Sequence, residues 1–268
     1  MNGRLLNVSM SQYPRYAIYF VPPADSAIYR FGASLLGYDS FSGQSLPFTE
    51  GIEAEVLDWR QITTDPRRYG LHATLKAPIS LTPGKTEEAL IAAMNEFAQM
   101  PRAIPVIAPV VRTINSFIAI VPDTPSPELQ KFAADCVTTF DDFRAPLTAE
   151  DRVRRDGSSL TNEQVAYLDR WGYPYVFEQF RFHITLTGSL PRERLAPVLN
   201  ILRGRFAALK IQSVSVGHLA LLRQSDAVSG FRIISHWPLQ PSPKASVTES
   251  LSETNISMPV VPRAPWGH

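Results

Sequence analysis

Arg68-Tyr69-Gly70-Leu71-His72-Ala73-Thr74-Leu75-Lys76 decides the reading of this chain, because Arg181-Phe182-His183-Ile184-Thr185-Leu186-Thr187-Gly188 repeats its pattern later in the sequence. Each copy runs from a basic residue through an aromatic or apolar one into His-x-Thr-Leu. In an extended strand successive side chains alternate between faces, so His72, Thr74 and Lys76 share one face and Arg181, His183, Thr185 and Thr187 share another. Two such strands brought together would line one cleft with two His/Thr pairs.

The segments around the two copies also repeat. Arg15-Tyr16-Ala17-Ile18-Tyr19-Phe20-Val21 is a β-branched and aromatic run stopped by Pro22-Pro23, as expected of a buried strand. Asp25 or Ser26 can cap a following helix whose apolar face is Ile28, Phe31 and Leu35, and Gly37 lies where it should stop. The stretch 38–65 reads as a long loop with a short element. After the first motif strand, about 71–79, Thr86 caps a helix with Leu90, Ile91, Met94 and Phe97 on one face, and strands follow at about 103–111 and 115–121. The second motif leads into a helix starting at Ser189, with Leu195, Val198, Leu199 and Leu202 on one face, then into strands at about 211–222 and 231–236. The order β-α-β-β thus occurs twice.

These patterns predict an α+β fold, bilobal and pseudo-twofold, with two β-α-β-β lobes around a central cleft and a helical insertion. Lobe one covers about 15–122, the linker and insertion about 123–178, and lobe two about 179–239. A flexible N-terminus (1–14) and a disordered Pro/Ser/Thr-rich tail (240–268) complete the expectation. In the linker, Leu129, Phe132, Ala133, Cys136 and Phe140 keep the helical period, which makes Cys136 a buried, inert thiol rather than a nucleophile. The insertion carries Arg152, Arg154 and Arg155 and then a helix announced by the capping box Thr161-x-x-Gln164 and closed at Gly172.

Charge and cysteine content narrow the function. With 26 Lys+Arg against 25 Asp+Glu the net charge is +1, so no bulk basic field recruits a long nucleic acid, and an anionic partner must be met locally. One cysteine excludes an internal disulfide framework and a Cys metal cluster. There is no continuous apolar leader segment and no run of about 18 apolar residues, so the chain is expected to be cytoplasmic and not membrane-bound. No H-E-x-x-H or H-x-H spacing suggests a metal, and no Gly-rich phosphate loop is present; neither metal nor cofactor is expected.

Two imidazoles facing each other suit the cleavage or formation of a phosphodiester. One takes a proton from the attacking water or hydroxyl while the other protonates the leaving oxygen. A phosphate between them raises the pKa of whichever ring contacts it as imidazolium, and the threonines offer O–H donors to the non-bridging oxygens. His72, Thr74, His183 and Thr185 are therefore the candidate catalytic set. Lys76 and Arg181, in phase with their histidines, together with Arg68 and Tyr69, are candidate substrate contacts. His218 and His236 read as structural sheet histidines, and the Arg152, Arg154 and Arg155 cluster as a solvated face that is still the leading source of specificity contacts in the insertion.

The two H-x-T-L motifs resemble the two-histidine (2H) phosphoesterase superfamily, which includes RNA cyclic phosphodiesterases and 2′-5′ RNA ligase-like proteins. More narrowly, Arg15–Phe20, Asp65–Lys76, Phe143-Arg144-Ala145-Pro146-Leu147 and Trp171-Gly172-Tyr173-Pro174-Tyr175 look like the branch of that superfamily often encoded with bacterial phosphonate-degradation genes. The similarity covers about 15–239. It implies a pseudo-twofold fold and metal-independent chemistry on a cyclic phosphate, with a small phosphorylated nucleotide or ribose as substrate. The competing readings are an RNA end-processing or 2′-5′ ligase-like enzyme, a metal-dependent hydrolase, and a non-catalytic module that binds an anionic metabolite.

Overall fold

A computed structural model describes residues 12–155 and 160–243 of the chain. Seven strands form one antiparallel sheet: β1 (Arg15–Phe20), β2 (Ala73–Ile79), β3 (Pro109–Ile114), β4 (Phe117–Pro122), β5 (Ile184–Thr185), β6 (His218–Gln224) and β7 (Arg232–Pro238). Their spatial order is β7-β6-β1-β2-β5-β4-β3. The mixed class with antiparallel pairing is the one expected, but the halves trade strands. β6 and β7, from the second half of the sequence, extend β1 and β2, while β3 and β4, from the first half, flank β5.

This exchange puts the two motif strands, β2 and β5, side by side at the centre of the sheet. β1 and β4 cover their outer edges, so neither motif strand offers unpaired backbone to solvent. The sheet is pseudo-symmetric about the line between β2 and β5, with β1 matched by β4 and β6 by β3.

Six longer helices surround it: α1 (Ala27–Leu36), α2 (Glu87–Gln99), α3 (Pro127–Thr139), α4 (Ala149–Arg155), α5 (Asn162–Trp171) and α6 (Arg192–Ala207). Their ends follow from local chemistry. The hydroxyls of Ser26, Thr86 and Ser126 accept the backbone N–H three residues on, which satisfies donors the helix cannot, and Thr161 with Gln164 closes the capping box that starts α5. α6 starts at Arg192 rather than at Ser189, after Pro191. α2 packs on β6 and β7, α3 on β2, and α6 on β3 and β4. The stripe Leu129, Phe132, Ala133 and Cys136 of α3 is buried as its period predicts, and burial pushes the Cys136 thiol far above its ordinary pKa.

The stretch 38–65 holds a short hairpin pairing Tyr38–Asp39 with Gln44–Ser45, followed by single helical turns. Residues 240–243 depart from the expected disorder. The Gln240 N–H donates to Ala98 O (2.9 Å), the Arg102 N–H to Gln240 O (3.0 Å) and the Ser242 N–H to Arg102 O (2.8 Å), so the chain is tied to the end of α2. The remainder of the expected tail (244–268) and residues 1–11 of the expected flexible N-terminus lie outside the described residues.

Candidate active site

β2 and β5 pair antiparallel through Ala73 and Ile184. One step either way sets His72 across from Thr185 and Thr74 across from His183. In this register each histidine faces the other repeat's threonine. Directly opposed Cβ atoms lie about 4.5–5.5 Å apart and diagonal ones about 7–8 Å apart, so the two histidines sit as diagonal neighbours on one face of the sheet. All four side chains border one cavity of about 410 Å³. The hydroxyls of Thr74 and Thr185 make no hydrogen bond to any described residue, so their donors remain available to that cavity. The Thr187 hydroxyl, by contrast, accepts the Ile118 N–H (3.1 Å).

The two rings are held alike. His72 Nδ1 lies 2.9 Å from Gly70 O, and His183 Nδ1 lies 2.7 Å from Arg181 O. A carbonyl only accepts, so Nδ1 carries the proton in both rings and the neutral form keeps Nε2 as an acceptor. Gly70 can turn its carbonyl this way because it sits at φ 70°, a conformation that favours glycine, and an added Cβ would approach Ser40 Cβ to 2.9 Å.

Their electrostatics differ. Burial lowers the His72 pKa to about 4, with the bond to Gly70 pulling upward and nearby His183 pushing further down. The ring stacks on Tyr19, with centroids 3.9 Å apart and planes 23° from parallel. Burial also lowers the His183 pKa, against the bond to Arg181. Its aromatic neighbour, Phe117, is farther away, at 5.6 Å.

The other expected contacts scatter. Tyr69 lines the cavity 5.8 Å from His72, but its ring stacks on Phe231 at 5.1 Å. Arg68 turns away and donates to Ala227 O. Arg181 borders a deeper, aromatic-walled chamber of about 450 Å³ that adjoins the first through Thr74, Arg155, Tyr173 and His183. Lys76 also borders that chamber, yet it is 4% exposed and its ammonium donates to Val137 O and to Asp141 Oδ1, both at 3.0 Å. Burial draws its pKa below the usual lysine range in spite of Asp141. Asp141 also binds Arg144 (2.8 Å) and Arg170 (3.3 Å), which ties β2 to α3 and the insertion.

A register shift explains why Lys76 leaves the phase of His72. Tyr19 pairs with Thr74 but Ile18 pairs with Lys76, so β2 carries one more residue than β1 at this point. An extra residue reverses the alternation of faces, and it is Ala77 rather than Lys76 that rejoins the cavity wall.

Arg15 and Tyr19 reach the cavity from β1 and Tyr173 reaches it from the insertion, none of them among the expected site residues, whereas Arg155, from the cluster expected to supply specificity contacts, reaches it as well. The Arg155 guanidinium donates to Pro78 O and Gly172 O, and Arg152 pairs with Asp169; the Arg154 side chain lies outside the described residues. The usable signal was the alternation Arg15, Ala17, Tyr19 on a strand read only as buried. His218 and His236 stack on each other, with centroids 4.9 Å apart and planes 7° from parallel, and neither borders the cavity. Among the described residues no group of three or more His, Cys, Asp or Glu is placed to hold a metal ion, and no helix is long and apolar enough to cross a membrane.

Fold and site together define an antiparallel α+β chain in which two His-x-Thr motifs on adjacent central strands face one cavity. A family model described as "Protein of unknown function (DUF1045)" matches residues 74–232, and the chain belongs to that family. Among curated proteins, it is 40% identical over 188 residues to a ribose 1,5-bisphosphate phosphokinase PhnN of Janthinobacterium sp. (strain Marseille), covering 69% of this chain and 41% of that one. It is 30% identical over 220 residues to a protein of the same name from Laribacter hongkongensis (strain HLHK9), covering 82% of this chain and 50% of that one. The chain therefore spans half or less of the length of these relatives. Solved structures it resembles include E. coli LigT complexed with 3'-AMP, at TM-score 0.38 and 12% identity, covering 85% of this chain and 98% of that one. Another, titled only as a phosphoesterase, matches at TM-score 0.37 and 12% identity, covering 85% and 99%.

Proposed function

We propose that this chain is a cyclic phosphodiesterase of the two-histidine kind, acting on a small nucleotide or ribose cyclic phosphate. The observation that carries the reading is the crossed pairing of His72 with Thr185 and of Thr74 with His183 around one cavity. In the proposed reaction His72, the ring held more firmly neutral, accepts through Nε2 a proton from the attacking water. The new P–O bond forms as the bond to the leaving ring oxygen breaks, and His183, protonated at Nε2, gives that oxygen its proton. The product is an acyclic phosphomonoester with a free hydroxyl, and the two rings have exchanged protonation states. Thr74 and Thr185 donate to the non-bridging oxygens as charge develops there. These groups need no metal to perform the step.

Two further points support this reading. The motif strands and the Trp171–Tyr175 segment resemble those of the phosphonate-associated branch, and the curated relatives carry names for ribose phosphate chemistry. A phosphorylated ribose arising in phosphonate breakdown is the substrate class these point to.

The test is phosphorus NMR of purified protein with a chelator and a panel of 2′,3′-cyclic nucleotides and cyclic ribose phosphates. A new phosphomonoester signal is expected, and His72→Ala or His183→Ala should each slow its appearance about 10²–10⁴-fold while leaving the fold intact. Wild-type turnover in both variants would remove the two-histidine mechanism. Tight binding of a cyclic phosphate with no product would instead identify a binding module.

A further inference from the structure

The insertion helps to enclose the aromatic-walled chamber, which the proposed hydrolysis does not use. It holds about 450 Å³ and opens beside the His/Thr cavity, with Thr74, Tyr173 and His183 in the shared wall. The two are nonetheless different places. His72 and Thr185 border the cavity and not the chamber, whereas Trp171, Phe177, Phe180 and Gln179 border the chamber and not the cavity. The rings of the chamber are left partly wet. Trp171, Tyr173, Phe177 and Phe180 are half-buried and Tyr175 is 46% exposed, while the large rings of the core, such as Trp59, Phe20 and Phe140, are fully buried. Aromatic side chains gain much from leaving water, so five partly exposed rings around one hollow mark a surface that a ligand completes.

The rings are held in place by their neighbours. Trp171 meets Phe177 with centroids 5.1 Å apart at 69°, and Arg170 lies over Trp171 at 4.2 Å; Tyr173 meets Tyr175 at 5.6 Å and 79°. Phe177 keeps its place at φ 51°, a left-handed conformation that is costly for a residue with a Cβ and that persists where the surroundings fix it. A row of amides adds an independent observation. The Thr161 N–H can only donate, so the Gln164 atom facing it is Oε1 (3.0 Å); Gln164 Nε2 then donates to Gln179 Oε1 (3.0 Å), and Gln179 Nε2 to Glu163 Oε2 (2.8 Å). Both amides border the chamber in one fixed orientation. Each keeps one N–H and one carbonyl lone pair unused among the described residues, a donor and acceptor edge of the kind a heterocycle presents.

We propose that this chamber takes the nucleobase of a cyclic nucleotide whose phosphate lies at the His/Thr cluster, with Trp171, Tyr175 and Phe177 as stacking surfaces and Gln164 and Gln179 at the edge of the base. The inference rests on the phosphodiesterase reading and narrows it to a phosphorylated ribose that carries a base. The placement follows from the sugar. In a 2,3-cyclic phosphate of ribose the base is on C1, which neighbours C2, so it must lie directly beside the phosphate. The chamber meets that demand, because it opens at Thr74 and His183, one of the two crossed pairs of the cluster, and away from His72 and Thr185. A planar heterocycle suits it better than a flexible chain, since every base offers a face to stack and an edge to bond.

The test compares kcat/KM of the full chain for adenosine 2′,3′-cyclic phosphate and for methyl β-ribofuranoside 2,3-cyclic phosphate, which differ only in adenine against methoxyl at C1. Stacking of one base should favour the nucleotide about ten- to a hundredfold. Trp171→Leu and Tyr175→Leu should each shrink that preference through KM for the nucleotide; Tyr175 is 46% exposed, so its variant covers the case in which the first does not fold. A kcat/KM for the nucleotide no higher than for the methyl glycoside, or an undiminished preference in folded Tyr175→Leu, overturns the base subsite and leaves the phosphodiesterase reading standing. If neither substrate is turned over, that reading fails, and the chamber is judged by calorimetric binding of adenosine 3′-phosphate to the unaltered chain and to Tyr175→Leu. A loss of about tenfold in the variant supports the subsite; equal binding, or none by the unaltered chain, overturns it.

Discussion

The pKa of His72 ties the stability of the fold to pH in a way that isolates one ring. Unfolded, the imidazole titrates near 6.5; folded, burial holds it at about 4. Between those values the unfolded chain binds a proton that the folded chain refuses, so stability is fully present above about pH 6.5 and is lost as pH falls toward 4. At about 1.36 kcal/mol per unit, the loss between about pH 7 and about pH 4.5 comes to about 2–3 kcal/mol from this residue. His183, His218 and His236 shift the same way, so the wild-type curve alone does not identify His72. His72→Phe does, because it keeps a ring under Tyr19 and cannot titrate, while the other three cancel in the difference. Urea unfolding of both proteins at the two pH values, in chloride without phosphate, should show the variant losing about 2–3 kcal/mol less than the wild type. Inorganic phosphate should narrow the gap, since an anion between the rings favours the imidazolium. Equal losses in the two proteins would mean that His72 is not held neutral, and its assignment as the proton acceptor would fall with that.

The pH profile of kcat/KM should be bell-shaped, its acid limb set by His72 near pH 4 and its alkaline limb by His183, below the ordinary histidine value; a profile still rising past pH 8 would mean that no protonated imidazole is needed and would remove His183 as the proton donor. Gly70→Ala should cost about 1–2 kcal/mol in thermal unfolding and lower kcat, because strain at φ 70° moves the carbonyl that fixes the His72 tautomer; an unchanged kcat would show that this carbonyl does not position the ring. Lys76→Met should cost about 1–3 kcal/mol, with Asp141 retaining Arg144 and Arg170, and should leave KM unchanged; a raised KM at full stability would return Lys76 to the substrate.

How much the sequence discloses depends on how locally each feature is determined. The His/Thr face was legible because the period of a strand depends on two or three residues, and the helix caps because a hydroxyl and an N–H three positions away settle them between themselves. The phase of Lys76 was not legible. It depends on whether β2 carries an extra residue against β1, and that is decided by two segments more than fifty positions apart. The exchange of strands between halves was hidden for the same reason: nothing local in Phe117–Pro122 indicates that its partner is Ile184–Thr185. Yet the exchange gives the repeat its chemistry. Had each half closed its own sheet, the two motif strands would have met only across a lobe interface, with each histidine beside the threonine of its own strand. Pairing β2 directly with β5 uses backbone hydrogen bonds to fix the register of the two motifs, so the spacing between the two histidine positions is set by sheet geometry and does not depend on how two lobes dock.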